Sequence, residues 1–262
     1  MLLTGKTAVL TGASGGIGAA MALALSDAGV RLLLVGRRAE VLQALAARLG
    51  AQHQALVADV TTDEGRAAVQ HACAALPQGL DLLINNAGVS EFGAFDAQPA
   101  AQIENQITTN LLAPMLLTQA LLPALRRAPR GLIVNVGSAL GSLGYPGYAA
   151  YAASKFGLRG FSEALRRELA DSAVGVLYLA PRATATAINS ERVMALNSAL
   201  GNATDAPEVV AQALLRQLRE ERPYLAVGRP ERLFARLNAL LPGLIDRAIR
   251  RQLPTIRRFL SD

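Results

Sequence analysis

Tyr151 and Lys155 are the residues whose types and spacing point most directly to chemistry, because they stand four positions apart in the stretch Tyr151-Ala-Ala-Ser-Lys155. On a helix, residues four apart share one face, and their side chains can meet. An ammonium beside a phenol favours the phenolate and so lowers the pKa of the phenol. The spacing therefore predicts that Tyr151 gives or takes a proton near working pH.

The composition of the chain makes Lys155 unusual. Of the 26 basic residues only Lys6 and Lys155 are lysines, and the rest are arginines. An ammonium is a compact charge with rotatable donors, which a planar guanidinium cannot imitate. The alternative is an incidental pair on a surface helix, and a cofactor and a partner for the phenol would decide between the two.

A glycine-rich turn near the start of the chain can supply that cofactor. The apolar run Thr7–Thr11 predicts a strand, and the pattern Ala19–Ala28 predicts a helix. Between them Gly12 can take the turn, Gly16 lets the backbone approach a diphosphate, and Gly18 allows close packing of the helix on the strand. The helix N-terminus then offers N–H groups and the positive end of its dipole to the phosphates.

The end of the second predicted strand, Arg31–Gly36, indicates which dinucleotide binds. An acidic residue at this place selects NAD through the ribose hydroxyls, but this chain has Gly36 followed by Arg37 and Arg38. Two guanidiniums can clamp a 2′-phosphate, so we predict NADP(H). The alternative is that the two arginines only begin a solvated helix.

Apolar strands continue to alternate with helical patterns, which predicts an α/β fold with one doubly wound parallel sheet, a Rossmann fold. Ligands of such sheets bind at the carboxyl ends of the strands. Asn110 interrupts the long helical pattern of residues 100–127 and is predicted to be either a structural bridge or part of the site. The other candidate residues lie at strand ends, namely Asp59, Asn85-Asn86-Ala87-Gly88, Gly137-Ser138 and Pro181-Arg182.

The bulk composition narrows the function classes. The chain has 262 residues, 52% of them hydrophobic, which suits a globular protein with a large core, and its net charge is +6. It has one cysteine and two histidines, so we expect neither an internal disulfide nor a metal site. Basic residues without aromatic interleaving do not suggest a nucleic-acid partner. We expect a cytoplasmic protein, because no signal peptide and no apolar run of about 18 residues is found.

Over about residues 4–190 the sequence resembles the short-chain dehydrogenase/reductase family, and in particular its 3-oxoacyl-carrier reductases. The matching segments are Thr11–Gly18, Asp59, Asn85–Gly88, Asn110, Ser138, and Tyr151 with Lys155. The resemblance implies an NADPH-dependent reductase of a ketone, reversible as an alcohol dehydrogenase. It also implies a homodimer or homotetramer.

The resemblance implies a role for each residue of the site. Ser138 would hold the substrate oxygen and Tyr151 would move its proton, while Lys155 would bind the nicotinamide ribose and lower the pKa of Tyr151. Asn110 would hold a water that links Lys155 to solvent. The implied cofactor-binding set is Gly12, Ser14, Gly16, Ile17, Gly18, Arg37, Arg38, Asp59, Val60, Asn86, Ala87, Gly88, Tyr151, Lys155, Pro181 and Thr186.

Two positions depart from the family pattern. Arg182 stands where the family usually has a glycine after the sixth strand, so it is predicted to face a cofactor phosphate or an acidic substrate, or else solvent. Gly15 stands where NADP-using members often have a basic residue. Recognition of the phosphate would therefore depend on Arg37, Arg38 and Ser14.

The segment 183–205 is predicted to cover the substrate of a catalytic domain that spans residues 1–229. Its apolar residues Ile188, Val193, Met194, Leu196 and Leu200, with Phe92, Leu140, Tyr145 and Tyr148 nearby, favour a hydrophobic ketone or alcohol. The alternative is that they only pack the segment onto the body of the protein.

Residues 230–262 are predicted to form a basic amphipathic helical tail. Pro242-Gly243 separates one apolar stripe (Leu233, Phe234, Leu237, Leu240, Leu241) from a second (Leu244, Ile245, Ala248, Ile249, Leu253), and arginines flank both. Such a helix can lie on an anionic membrane, or it can dock on its own body or on a second subunit.

Five arginines, at positions 126, 127, 130, 166 and 167, stand near the ends of two long predicted helices. They would suit an acidic acyl carrier protein, and the alternative is a set of solvated helix faces. A contrasting hypothesis for the whole chain is a non-catalytic dinucleotide sensor or scaffold that uses the tail for a partner.

Overall fold

A computed structural model of the protein describes residues 1–228, 234 and 237–260. Seven parallel strands form one sheet in the order β3-β2-β1-β4-β5-β6-β7. The strands are β1 (Thr7–Thr11), β2 (Arg31–Gly36), β3 (Gln54–Val57), β4 (Leu82–Asn85), β5 (Gly131–Val136), β6 (Val174–Ala180) and β7 (Tyr224–Ala226).

Helices follow the strands along the chain, as a parallel sheet requires. They are α1 (Gly16–Asp27), α2 (Ala39–Leu49), α3 (Asp63–Ala74), α4 (Ala100–Ile107), α5 (Ala113–Leu125), α6 (Ala149–Glu168), α7 (Glu191–Ala199), α8 (Pro207–Glu220) and α9 (Pro242–Arg258). The predicted doubly wound fold is therefore confirmed.

Both faces of the sheet are buried, because successive side chains of a strand point to opposite faces. In β1, Leu10 joins the core formed with α1 and α8, while Val9 joins the core formed with α3 and α5. All five residues of β1 are buried, as expected of a central parallel strand. Because the strands are parallel, the loops that follow their carboxyl ends, including those of the site, lie at the same end of the sheet.

The helix predicted over residues 100–127 is continuous where the sequence predicted an interruption. Asn110 and Pro114 do not interrupt the helix, since α4 continues through a π-helical turn, Thr108–Leu112, into α5. Pro114 has no N–H with which to bond the carbonyl of Asn110, so a wider turn is the expected local solution.

Within the part of the chain that the structure describes, residues 100–125 form one helical stretch long and apolar enough to cross a membrane by length and composition alone. Its inner face, which includes Leu117, Leu121 and Leu125, is fully buried in the protein core. A core helix passes the same test of length and composition.

The tail folds back onto the chain. Residues 237–240 are helical, Leu241 is not, and helix α9 begins at Pro242, so the two predicted helical stripes are separated immediately before Pro242, a position that proline prefers. Ile245 and Ile256 on its inner face are buried. Leu233 of the first predicted stripe and the predicted boundary between residues 229 and 230 lie outside the described residues.

Candidate active site

Ser138, Tyr151 and Lys155 meet beyond the carboxyl end of β5. Ser138 follows β5 by two residues, and the other two lie in the first two turns of α6. The Ser138 side chain hydrogen-bonds to Tyr151. The ammonium of Lys155 lies 5.9 Å from the centre of the Tyr151 ring and donates to the carbonyl of Val136 at 3.1 Å. The structure thus brings together the three residues that the sequence pattern singles out.

The pKa of the phenol differs from the prediction. Burial raises the pKa of Tyr151 above its ordinary value, and the hydrogen bond from Ser138 only partly opposes this effect. Burial also lowers the pKa of Lys155, to about 8, because the ammonium is desolvated. The predicted lowering of the Tyr151 pKa by Lys155 is therefore wrong for the protein without a ligand.

Tyr178 of β6 is a site residue that the sequence analysis missed. Its hydroxyl accepts from the N–H of Ser138 at 3.4 Å and donates to the carbonyl of Lys155 at 3.2 Å. It thereby joins the Ser138 loop to α6. The only signal in the sequence was the pair Gly137 and Gly141, where a Cβ atom would overlap the Tyr178 ring or hydroxyl.

Asn110 is a structural bridge, one of the two roles predicted for it. Its side chain is fully buried, accepts from Val89 N–H at 2.9 Å, and donates to the Val89 carbonyl at 2.8 Å and to the Ser154 hydroxyl at 3.0 Å. It thus ties the loop after β4 to α6. The predicted role in holding a water remains a prediction.

The glycine turn is packed tightly against the loop after β4. Gly12 has a φ of +65°, and a Cβ atom there would lie 2.7 Å from Ala87 Cα, so only glycine suits this position. Asn86 donates to the carbonyls of Thr11 and Gly12 at 3.0 and 3.2 Å. The Thr11 hydroxyl accepts from the N–H groups of Asn86 and Ala87, a contact that the sequence analysis did not foresee.

Arg37, Arg38, Ser14 and Asp59 cluster beyond the ends of β2 and β3. Arg38 donates to the Ser14 carbonyl, and Arg37 lies 3.7 Å from the Asp59 carboxylate. Burial would raise the pKa of Asp59, but hydrogen bonds from Thr61 and the charge of Arg37 lower it below its ordinary value. Asp59 lies two residues beyond β3 rather than within its end as predicted.

Three other members of the predicted cofactor set have structural partners. Val60 is buried, and Ile17 packs against the core on the α1 side of the sheet. The Pro181 carbonyl accepts from Ala139 N–H at 2.7 Å, which joins the ends of β5 and β6.

Arg182 is not simply solvated, so the solvent alternative is wrong, while the expected contact with a cofactor phosphate or an acidic substrate stays a prediction. Its guanidinium forms a two-pronged ion pair with Asp205, at 2.8 and 2.6 Å. Backbone bonds between Asp205 and both Ala183 and Ala185 lie beside this pair. The two ends of segment 183–205, the lid, are therefore fastened together at its base.

Thr186 of the lid lies directly over the glycine turn. A Cβ atom at Gly16 would be 2.7 Å from Thr186 Cγ2. The Thr186 hydroxyl is buried and has no hydrogen-bond partner among the described residues. A buried hydroxyl without a partner suggests a missing ligand.

A cavity of about 310 Å³ lies between the loop after β4 and the lid. It is partly apolar, as predicted, because Phe92, Ile188 and Val193 line it. Its polar lining was missed in the sequence analysis and consists of Ser90, Glu91, Ser190 and Arg192. Val193 and Leu196 are buried, so packing of the lid, one of the two alternatives, occurs, whereas contact of its apolar residues with a substrate stays a prediction.

Aromatic contacts connect this cavity to Tyr151. The Phe92 ring lies 5.0 Å from that of Tyr148, which lies 5.9 Å from that of Tyr151. Such separations are typical of interacting aromatic pairs. Of these three rings only that of Phe92 lines the cavity, so the Tyr148 ring links the cavity wall to Tyr151.

The described part of the tail covers the loop between Ser138 and Tyr151. The Tyr145 hydroxyl donates to Gln252 at 3.0 Å, and Asn238 donates to the Ser142 carbonyl at 3.1 Å. Leu260 packs over Gly147. Docking on its own body, one of the alternatives predicted for the tail, is what the structure shows.

Together these residues fit a dinucleotide. The glycine turn leads into the N-terminus of α1, where no described side chain caps the first N–H groups that a diphosphate could use. The Thr186 hydroxyl has no partner and the buried Lys155 ammonium has three donors but one acceptor among the described residues. Groups of three or more metal-ligating side chains are not found in the described part of the chain.

Comparisons with known proteins agree with this geometry. Residues 6–196 match the family model described as short chain dehydrogenase. Nodulation protein G of a Rhizobium strain is 41% identical over 180 residues, which is 68% of this chain and 73% of that protein. The bovine 3-oxoacyl-[acyl-carrier-protein] reductase is 36% identical over 226 residues, which is 84% of this chain and 93% of that protein.

Solved structures give the same result. A short-chain dehydrogenase from Sphingobium yanoikuyae in complex with NADPH is 32% identical and aligns with a TM-score of 0.77 over 92% of this chain and 95% of its own. One from Burkholderia phymatum in complex with NAD has a TM-score of 0.84 over 93% and 96% of the two chains, and its 24% identity supports the fold alone. The chain therefore belongs to the short-chain dehydrogenase family.

Proposed function

We propose that the protein is an NADPH-dependent oxidoreductase that reduces the ketone of a hydrophobic substrate, or oxidises the matching secondary alcohol. The observation that carries the proposal is the meeting of Ser138, Tyr151 and Lys155 beside the glycine turn and the cavity. A non-catalytic sensor is not favoured, because a binding module has no need of a hydrogen-bonded phenol and a desolvated ammonium at one point.

The site residues divide the work of proton transfer. The Ser138 hydroxyl can donate to the substrate oxygen and holds it next to the phenol. Tyr151 gives its proton to that oxygen during reduction and takes it back during oxidation. A bound nicotinamide would supply or accept the hydride at the substrate carbon. Lys155 would hold the nicotinamide ribose, and its positive charge, 5.9 Å from the Tyr151 ring, would stabilise the phenolate that forms when the proton leaves.

The preference for NADP(H) rests on the cluster of Arg37, Arg38 and Ser14. No carboxylate stands at Gly36 to repel a 2′-phosphate, and the nearby Asp59 carboxylate is engaged by Thr61 and Arg37. Two guanidiniums at the rim of this cluster suit a doubly charged phosphate. The site residues proposed for the dinucleotide also include Thr186, whose hydroxyl has no hydrogen-bond partner in the described part of the chain.

The cavity favours an amphiphilic ketone. Phe92, Ile188 and Val193 suit an acyl or other hydrocarbon chain, whereas Ser90, Ser190 and Arg192 suit a polar group along it. An acyl thioester has both features. The similarity to the bovine 3-oxoacyl-[acyl-carrier-protein] reductase supports this substrate class.

An acyl carrier protein is a second candidate partner, and the five arginines at helix ends are the residues that would bind it. Arg130 precedes β5, whereas Ser138 follows it, so the arginines lie at the opposite edge of the sheet, roughly 20 Å away. Arg130 is also paired with Glu221, and Arg167 with Glu163. A carrier docked there would serve the site of another subunit, consistent with the proposed cytoplasmic homodimer or homotetramer.

Steady-state reduction of β-ketoacyl thioesters, steroid-like ketones and simple aldehydes tests the proposal. We expect a higher kcat/KM with NADPH than with NADH, and the best rates with the apolar ketones. Tyr151→Phe should lower kcat on the order of a thousandfold, since a positioned proton donor contributes that much. Its affinity for NADPH, measured by fluorescence titration, should stay within about twofold, because it keeps the ring.

Tyr148→Phe is the matched control, because it removes a neighbouring buried phenol whose ring contacts that of Tyr151. We expect it to retain most of the turnover. Turnover that survives in Tyr151→Phe would refute the assignment of the proton donor, and a preference for NADH would refute the cofactor.

A further inference from the structure

The outer side of the tail carries an apolar cluster that the fold does not cover. Leu240 and Leu241 immediately precede α9 and Leu244 lies in its first turn, and their exposed fractions are 77%, 55% and 52%. Phe234, a little earlier in the chain, is 47% exposed. Single exposed leucines are ordinary on a protein surface, but three together mark a contact site.

The outer face of α9 beyond these leucines is basic. With Ile245, Gln252 and Ile256 facing the body, a period of 3.6 residues turns Arg247, Arg250, Arg251 and Arg258 outward. Arg247, Arg250 and Arg251 are exposed. Between Pro242 and Arg258 the chain has five arginines and one acidic residue, Asp246.

Exposed leucines beside arginines suit an anionic membrane better than a second copy of the same chain. In a twofold contact the same patch meets itself, so the arginines of two copies would approach one another and repel. An anionic bilayer instead attracts arginines through its headgroup phosphates, while exposed leucines enter the boundary with the acyl chains.

We propose that the outer face of the tail docks the folded enzyme on an anionic membrane surface, with Leu240, Leu241 and Leu244 inserted and the arginines of α9 on lipid phosphates. The tail stays on its own body during docking, because its inner face holds Tyr145 through Gln252 and covers Gly147 with Leu260. The docked face is thus the outer side of the element that covers the active-site loop. The proposal concerns binding alone and does not depend on the proposed substrate.

Co-sedimentation of the full chain with vesicles tests the proposal. We expect binding to vesicles of equal parts phosphatidylcholine and phosphatidylglycerol, weaker binding in high salt, and little binding to phosphatidylcholine alone. Replacing Arg247, Arg250 and Arg251 together by Gln should weaken binding on the order of 100-fold, because each basic residue near an anionic surface contributes about fivefold. Replacing Leu240, Leu241 and Leu244 together by Ser should also weaken it, at unchanged charge.

Matched control variants on other surfaces show whether binding depends on this face or only on the total charge and hydrophobicity of the protein. Arg48→Gln, Arg126→Gln and Arg127→Gln change the same charge at exposed positions, and Val41→Ser with Val209→Ser changes exposed apolar residues elsewhere. These variants should bind anionic vesicles as the parent does. Circular dichroism should show that every variant is folded.

Three results would overturn the proposal. The first is no binding to anionic vesicles, and the second is equal loss in the control and tail variants. The third is a different partner for the same residues. If the partner is a second copy of the chain, sedimentation velocity would show a dimer that is lost in the leucine variant. If the partner is an acidic acyl carrier protein, titration would show carrier binding that is lost in the arginine variant, and no vesicle binding would be seen.

Discussion

At the scale of single residues, the site combines groups that are costly to bury. Lys155 is 4% exposed, and its ammonium has one hydrogen-bond acceptor among the described residues, the carbonyl of Val136. A desolvated ammonium with so few partners destabilises the fold that contains it. We interpret the cost as the consequence of keeping a cation ready for the ribose and the phenol.

The burial of Lys155 leads to a prediction about stability and pH. Its pKa is lowered from 10.5 to about 8, so the folded state binds the proton more weakly than the unfolded state does. The resulting penalty, about 3 kcal/mol at most, is fully present below pH 8 and disappears as the pH rises towards 10.5. We expect Lys155→Met to be inactive but more stable than the parent by about 1 kcal/mol at pH 7, after the lost hydrogen bond is counted.

Urea denaturation of the ligand-free protein at a series of pH values measures this difference. The advantage of Lys155→Met should shrink between pH 8 and pH 10.5, because the parent then loses its penalty. An advantage that stays constant over this range would mean that the ammonium is not desolvated as described.

At the scale of elements, the lid depends on one ion pair at its base. Arg182 and Asp205 close the two ends of a segment that carries Thr186 over the glycine turn. Arg182 stands where the family usually has glycine, so this chain has exchanged a close backbone approach for a fastened lid. The pair is well shielded, since the Asp205 side chain is 9% exposed.

Breaking this pair should loosen the lid and weaken cofactor binding. We expect Arg182→Met and Asp205→Asn each to raise the KM for NADPH about tenfold, because each variant breaks the shielded ion pair at the base of the lid. The double variant should be no worse than either single one, since the two residues act as a unit. Steady-state kinetics of the parent, the two single variants and the double variant gives this double-mutant cycle. Additive effects of the two substitutions on KM would contradict the role of the ion pair in holding the lid.

The tail is a second element whose position was open before the structure. Its alternating apolar and basic residues suit a membrane, a second subunit or its own body equally well. Contacts of Gln252 with Tyr145 and of Leu260 with Gly147 decide for its own body on the inner face. The outer face remains available for the proposed docking.

At the scale of the whole molecule, a small charge network joins distant parts of the chain. Glu221, just after α8, pairs with Arg130 before β5 at 2.6 Å and with the amino group of Met1 at 3.4 Å. Partial burial would raise the pKa of Glu221, but Arg130 and the amino group lower it below its ordinary value. The network therefore stabilises the folded state whenever Glu221 is ionised.

We expect Glu221→Gln to lower the free energy of unfolding by about 1 kcal/mol at pH 7, as for a partly exposed charge network. Because the folded pKa is lowered, this stability is present above pH 4.5 and is lost as the pH falls further. The parent and the variant should therefore converge at acid pH in thermal unfolding experiments. A difference that persists below pH 3 would assign the effect to packing or to the left-handed backbone at Glu221.

The sequence by itself determined the parts of this protein that depend on local pattern. Steric limits govern the apolar strands and the glycine turn, and helical periodicity places Tyr151 and Lys155 on one face, so the parallel sheet and the proximity of these two side chains could be predicted. The predicted bounds of the first two strands, Thr7–Thr11 and Arg31–Gly36, match the structure, whereas the π-helical turn around Asn110 was not foreseen. It depends on the bond that Pro114 cannot make within an otherwise continuous helix.

Only the tertiary structure decided what depends on contacts between distant residues. Tyr178 at the Ser138 loop, Arg182 on Asp205 and Gln252 on Tyr145 join positions that no local pattern relates. The raised pKa of Tyr151 likewise follows from burial, which spacing cannot reveal. The sequence identifies side chains that can meet, whereas the folded chain determines which of them lose water and which find a partner.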